Sequence, residues 1–254
     1  MAKIISDSSI LKNKDLNFVD MHHHSTISDG DTKPEVLAKV YSKNKIGLCL
    51  ADHNQIRGSI HLAKQKNLFS IPAIEITSKE AKDILAYFYN IKDLISFWEK
   101  EIKKRIWDNV GFNLNRTKIP AAEIPDKIKA YNGIPVLAHP FAMKPKNSYH
   151  FLSDKDFMKK IKGVELYTFE KIKSEQAQTI KNCNKPLTAG SDGHTSFSSD
   201  ILTAADSFEI DDFLDSVLKR KHIIYYNKFT ALNILIQKGV IIKNNIHITT
   251  PNNE

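Results

Sequence analysis

The chain has 254 residues, is 41% hydrophobic and 26% charged, and carries a formal net charge of +8. That apolar content builds a sizeable core, and the length suits one large α/β unit or two small ones, which excludes a disordered tail protein. No apolar run approaches the roughly 18 residues of a membrane span, and Cys49 and Cys183 are too few for a disulfide framework. Residues 1–17 carry scattered charge and no apolar stretch of the secretory kind, so the expected compartment is the cytoplasm. In chain order, apolar and β-branched runs predict strands at 16–24, 46–53, 70–77, 84–89, 134–139, 163–168, 187–191 and 222–226. Several are continuous apolar runs, as expected where both faces of a strand are covered. Amphipathic stretches predict helices at 33–45, 56–66, 91–107, 123–131, 154–161, 174–183 and 211–220. Asp31 or Thr32 followed by Pro34 and Glu35 reads as a helix start, since Pro is tolerated in the first turn. The β-α alternation predicts a parallel sheet, open or closed into a barrel.

One main domain is expected over 1–228. Within it, 91–131 is longer and more polar than a crossover helix needs, so a helical insertion or cap is expected there, containing Trp98 and Trp107. A C-terminal helical extension and polar tail are expected over 229–254.

The basic balance is mostly lysine: 33 Lys against Arg57, Arg105, Arg116 and Arg220. Nucleic-acid readers lean on Arg for bidentate contacts, and here Lys is dispersed. The excess reads first as a solvated surface and second as attraction for an anionic substrate or nucleic acid.

Potential metal ligands fall at the ends of the predicted strands. His22 and His24 close the first, Asp52 and His53 the second, Glu75 the third and His139 the fifth, while Asp192 and His194 follow the seventh. In a parallel α/β fold the C-terminal strand ends share one face, so these groups are expected to converge. Residues two apart on a strand point the same way, which lets His22 and His24 reach one ion while His23 points away. His61, His150, His222 and His247 lie away from that face and are read as structural, and Cys49 as a buried small hydrophobe.

The segments Asp20-Met21-His22-His23-His24-Ser25, Ser28-Asp29-Gly30, Ala51-Asp52-His53-Asn54, Pro72-Ala73-Ile74-Glu75, Ala138-His139-Pro140 and Gly190-Ser191-Asp192-Gly193-His194 resemble, in order, the motifs of the PHP (polymerase and histidinol phosphatase) superfamily of metal-dependent phosphoesterases. The resemblance covers roughly residues 16 to 228 and implies a distorted seven-stranded, TIM-like β/α barrel. It also implies two or three divalent ions. Carried over, His22, His24, Glu75 and Asp192 surround one metal. Glu75 bridges to a second, shared with His139 and one further ligand, and Asp29, His53 and His194 hold a third. Mixed N/O ligands without thiolate suit Zn²⁺, Mn²⁺ or Fe²⁺. One position departs from the pattern: Asp83 stands where the family usually has a His. An altered metal preference is favoured over a weakened second metal or a two-metal enzyme.

The implied chemistry is hydrolysis of a phosphate ester of a small molecule or nucleotide by a metal-bound hydroxide. Arg57, Arg116 and Lys144 are candidates for holding the substrate phosphate, and the leaving-group acid is unassigned. Alternatives are a 5′–3′ exonuclease or oligoribonuclease on short RNA or DNA, a histidinol-phosphatase-like enzyme, and a catalytically silent PHP scaffold. An exonuclease calls for a basic, aromatic-lined groove, for which Trp98, Trp107, Phe112 and Arg116 are available, though packing of the cap is the favoured role for these residues. Nucleic acid is thus the second substrate class, and neither a membrane nor a protein partner is indicated.

Overall fold

A computed structural model describes residues 2–107, 116–168, 172–196 and 200–227, with positions 236, 239, 240 and 243. Most of 229–254, Phe112 and His247 therefore lie outside the described residues. Among the described residues, ten strands and seven α-helices follow one another along the chain. Strands β2 (Asn17–His23), β3 (Gly47–Leu50), β4 (Ala73–Thr77), β5 (Asp83–Tyr87), β6 (Ile134–Leu137) and β8 (Leu187–Ala189) are buried along their whole length. Their near-continuous apolar runs are the sequence form of that double coverage. β7 (Gly163–Tyr167) lies between β6 and β8.

The helices that cover them are short. α1 (Pro34–Asn44) starts on the predicted proline, and its C-cap Lys45 turns left-handed at φ 56°. α2 (Arg57–Leu62) is shorter than the predicted 56–66. α3 (Ile91–Phe97) is capped by Asn90, whose side chain accepts from Asp93 N at 2.9 Å. The predicted single helix 91–107 does not persist. It passes into a π turn at Trp98–Ile102 and a 3₁₀ turn at Lys103–Arg105. Trp98 Nε1 donates to Asn54 O at 2.9 Å, and Arg105 closes the freed carbonyls of Lys100 and Glu101. α4 (Ile124–Lys129), α5 (Lys155–Lys160), α6 (Ser174–Asn182) and α7 (Ile210–Leu218) complete the set. No described helix is long and apolar enough to cross a membrane.

The strands form two five-stranded sheets, β1-β10-β9-β2-β3 and β4-β5-β6-β7-β8. Two elements went unpredicted: β1 (Lys3–Ile5), an edge strand parallel to β10 (Ile223–Tyr226), and β9 (Ile201–Ala205), antiparallel to β2 and β10. The expected all-parallel arrangement also needs correction, because β5 runs antiparallel to both β4 and β6. That reversal puts the first residue of β5, Asp83, opposite Thr77 at the last position of β4. A closed seven-stranded barrel is not found as one continuous ladder. The two sheets meet instead at single parallel bridges, His53↔Glu75 and His23↔Gly193. Both seams lie where strand ends turn their side chains into the polar cluster described next.

The apolar parts of 91–131 join the main core: Leu94, Phe97, Ile102, Ile119, Ile124 and Ile128 pack with Ile74, Ile76 and Ile84 of β4 and β5. Cys49 is fully buried among Val19, Met21 and Ala51, as expected of a small hydrophobe.

Candidate metal centre

His22, His24, Asp29, His53, Glu75, Asp83, His139, Asp192 and His194 come together, none more than 7% exposed. Local structure explains how each arrives. The register of β2 shifts between Asp20 and His23, and the last turn of the strand delivers His22 and His24 to one side. His23 packs edge-on against Tyr41 instead, with Nδ1 2.8 Å from His24 O. Asp20 accepts bonds from Tyr41 Oη at 2.7 Å and from Ser191 N and Oγ at 2.8 and 2.6 Å. It thereby ties β2 to the turn that carries Asp192. Burial raises the Asp20 pKa to about 6 against the pull of these donors. Asp192 itself is left-handed at φ 50°, a conformation Asp tolerates better than most residues. Before it, Gly190 lies so close to the His22 backbone that no Cβ fits. Asp52 holds the next loop, accepting from Ser25 N at 2.7 Å and Ser28 Oγ at 2.9 Å. Asp29 sits on that loop.

Three ligand groups can be traced. In the first, His22 Nε2, His24 Nε2, Asp192 Oδ1 and Glu75 Oε2 lie 3.1–3.6 Å apart. Ligands about 2.0–2.2 Å from one ion in a tetrahedral array are separated by about 3.3–3.6 Å, and His22, His24 and Asp192 form a group that could hold one ion, with Glu75 Oε2 beside both histidines. In the second, Glu75 Oε1 is 3.0 Å from His139 Nε2, and Asp83 Oδ2 is 3.9 Å from the same nitrogen. In the third, Asp29 and His53 group with His24, and Asp29 faces His53 Nε2 through Oδ2 at 3.8 Å and His194 Nε2 through Oδ1 at 3.4 Å. Glu75 Oε2 and both oxygens of Asp83 are buried and receive no hydrogen bond. Such atoms carry a large desolvation cost unless a cation faces them.

Electrostatics point the same way. Burial disfavours charge on His24 and His139, yet Asp192 and Glu75 around the first and Glu75 around the second raise their pKa values to about 10 and about 9. Glu75 is driven well below the usual carboxylate range, its burial outweighed by His53 and His22. Imidazolium charge thus balances the carboxylates of the cluster, a place that divalent ions fill equally well.

Two residues at the site were not singled out from sequence. Glu165, on β7, places Oε1 3.0 Å from His22 Nδ1 and accepts the backbone N–H of His139 on Oε2 at 3.0 Å. A carboxylate behind a histidine is the usual device for fixing its tautomer and ring plane, and an inward Glu within a strand was the signal available. Lys146 brings Nζ within 2.7 Å of His53 Nε2 and 3.4 Å of Asp83 Oδ2. Burial opposes its charge, but Asp83 and Glu75 hold its pKa above the ordinary lysine value.

The phosphate candidates lie outside the cluster. Arg57 and Lys144 are exposed, and Arg116 is half-buried with Nε unbonded. Burial lowers the Lys82 pKa against the pull of Asp83, with Arg116 and Lys144 adding to the lowering, and Lys82 Nζ donates to Pro145 O and Asn147 O. Trp98 packs against the core and beneath Lys103. His61 contacts Gln65 and Glu35, His150 is exposed, and His222 is buried with Nε2 bonded to Leu187 O at 2.8 Å.

No family model matches the sequence, and no curated protein matches it either. Solved structures do. A two-domain protein from Bacteroides vulgatus containing a predicted PHP-like metal-dependent phosphoesterase superposes with TM-score 0.60 at 14% identity, covering 90% of this chain and 70% of that one. The chain is thus similar in fold to a PHP-like metal-dependent phosphoesterase. A lesion-specific endonuclease from Pyrococcus furiosus gives TM-score 0.66 at 15% identity, over 94% of this chain and 73% of that one. Endonuclease Q, solved with a 27-mer duplex bearing an abasic lesion at the active site, gives 0.59 at 15%, over 92% and 73%. This fold brings candidate ligands from β2, β3, β4, β6 and β8 to one end of the strands, with Asp83 joining them from the start of a reversed β5.

Proposed function

We propose that the cluster is a divalent metal centre and that the protein hydrolyses phosphate esters. The observation that carries this reading is Glu75: its two oxygens serve two different ligand groups from a fully buried position, with Oε2 receiving no hydrogen bond. A bridging carboxylate of this kind offsets the repulsion between neighbouring cations. His22, His24, Asp192 and Glu75 would hold one ion, and Glu75, His139 and Asp83 a second. Asp29, His53 and His194 form the remaining group. The donor set is nitrogen and oxygen without sulfur, which suits Zn²⁺, Mn²⁺ or Fe²⁺. Bound ions of this type neutralise phosphoryl oxygens and bring the pKa of water to about 7. In the same reading β2 to β8 form a seven-membered ring closed at the two single bridges.

The chain's own groups set the rest. His139 and Asp192 are the most accessible members of the cluster, each 7% exposed, so a phosphoryl group approaches on their side. Lys82, next to Asp83 in the chain, and Arg116 and Lys144, whose charges act on it, would offer positive charge to the remainder of an anionic substrate. The first substrate class is a small phosphorylated molecule or nucleotide. Nucleic acid is the second, favoured by the likeness to an endonuclease solved on a DNA duplex. Protein purified without chelators is to be assayed with each metal on phosphomonoesters, nucleotides and short oligonucleotides. Metal-dependent turnover is expected, and no turnover on any class contradicts the proposal. Strong loss of oligonucleotide binding with added salt separates the second class from the first.

A further inference from the structure

We infer that Lys146 takes the place of the third metal ion, so that this centre holds two divalent ions and one ammonium. The inference rests on the metal-centre reading above. His53 Nε2 is the only atom through which that ring faces Asp29, at 3.8 Å, because its Nδ1 lies 3.0 Å from Thr77 Oγ1 and 3.2 Å from Glu75 Oε2. Lys146 Nζ stands 2.7 Å from that same Nε2. A lone pair that accepts from an ammonium is not available to an ion, so the group of Asp29, His53 and His194 loses a ligand. The first group keeps all of its donors, and the second keeps Glu75, His139 and Asp83 Oδ1, since Lys146 faces the other Asp83 oxygen.

Asp83 belongs to the same exchange. Its Oδ2 lies 3.4 Å from Lys146 Nζ in a fully buried position, while the lysine side chain is 26% exposed and enters from the loop after His139. A His at position 83 would leave the ammonium without this counter-charge. An Asp there supplies one negative charge for the one positive charge that Lys146 brings, so the pair enters the cluster at no net cost in charge. The departure from the family pattern at position 83 thereby acquires a cause on the opposite loop.

The test counts metal. Wild-type protein, Lys146→Ala and Lys146→Arg are loaded with excess Mn²⁺ or Zn²⁺, desalted, and measured by elemental mass spectrometry against protein concentration. Two ions per chain are expected in wild type and Lys146→Arg, and three in Lys146→Ala, where His53 Nε2 is released. Lys146→Gln, which keeps most of the stem, is measured alongside and is expected to bind three, and it serves alone if the alanine variant does not fold. Three ions in the wild type, or two in both neutral variants, overturn the inference and leave the metal centre standing. No bound ion in any variant overturns both.

Discussion

Glu165 Oε1 lies 3.0 Å from Nδ1 of His22, and both side chains are buried to 1% exposure or less. The carboxylate fixes which nitrogen of His22 is free: Nδ1 is engaged, so Nε2 is presented to His24, Asp192 and Glu75. The other Glu165 oxygen accepts the His139 backbone N–H at 3.0 Å, so one residue of β7 orients groups from two other strands.

Glu165→Gln keeps the shape and removes the charge. Removing such an orienting carboxylate costs roughly 10–100-fold in metal affinity. Competition against a chelating dye should show that loss while the circular dichroism spectrum stays that of the wild type. Unchanged affinity would mean that Glu165 has no part in presenting His22.

A methyl group at position 190 would fall on the His22 backbone and Cβ. Neither is the end of a flexible side chain, so the strand must move. Gly190→Ala is therefore expected to lower stability by about 1–3 kcal/mol, the usual range for overpacking. Urea denaturation of the metal-free protein measures this directly, without interference from ligand binding.

Much of the site was legible in the sequence, and the misses have physical causes. His22 and His24, Asp192 and His194, and His139 end apolar runs, and chain direction alone implied that they meet. Asp83 is at the site although it begins its strand, because β5 is antiparallel to its neighbours, and strand direction leaves no mark in hydrophobic pattern. Lys146 is one lysine among 33, on a loop whose path depends on tertiary packing. Glu165 was hidden inside a short strand with no motif around it. The edge strand β1 and the short β9 owe their pairing to partners remote in sequence, Ile223–Tyr225 for β1 and both β2 and β10 for β9. The helix predicted over 91–107 splits at Trp98, whose ring nitrogen is held by the Asn54 carbonyl, a contact that periodicity does not encode.

Metal loading should raise thermal stability, because Glu75 Oε2 and Asp83 Oδ1, buried and receiving no hydrogen bond, would gain cations. An ion at one hundred times its dissociation constant contributes about 2.7 kcal/mol per site. Differential scanning calorimetry before and after chelator treatment is expected to show a lower midpoint without metal. An unchanged midpoint would speak against ions at these atoms.

His222 gives a pH signature independent of the centre. Burial lowers its pKa below the ordinary 6.5, only partly offset by its bond to Leu187 O. The unfolded chain therefore binds the proton first as pH falls. The neutral ring favours the fold fully above about pH 6.5, and that contribution is lost progressively as pH drops toward the lowered folded value. His222→Gln should flatten this acid limb in a plot of denaturation midpoint against pH. A limb identical to that of the wild type would remove His222 from the account.

Metal binding and phosphate-ester hydrolysis are proposed to reside in one cluster. The most direct test measures metal content and phosphoesterase turnover together in wild type, His24→Ala and Asp192→Asn. His24 Nε2 and Asp192 Oδ1 are 3.1 Å apart in the best-formed ligand group. Both variants are expected to lose bound metal and to lose activity with it. Undiminished turnover in either variant would contradict the account.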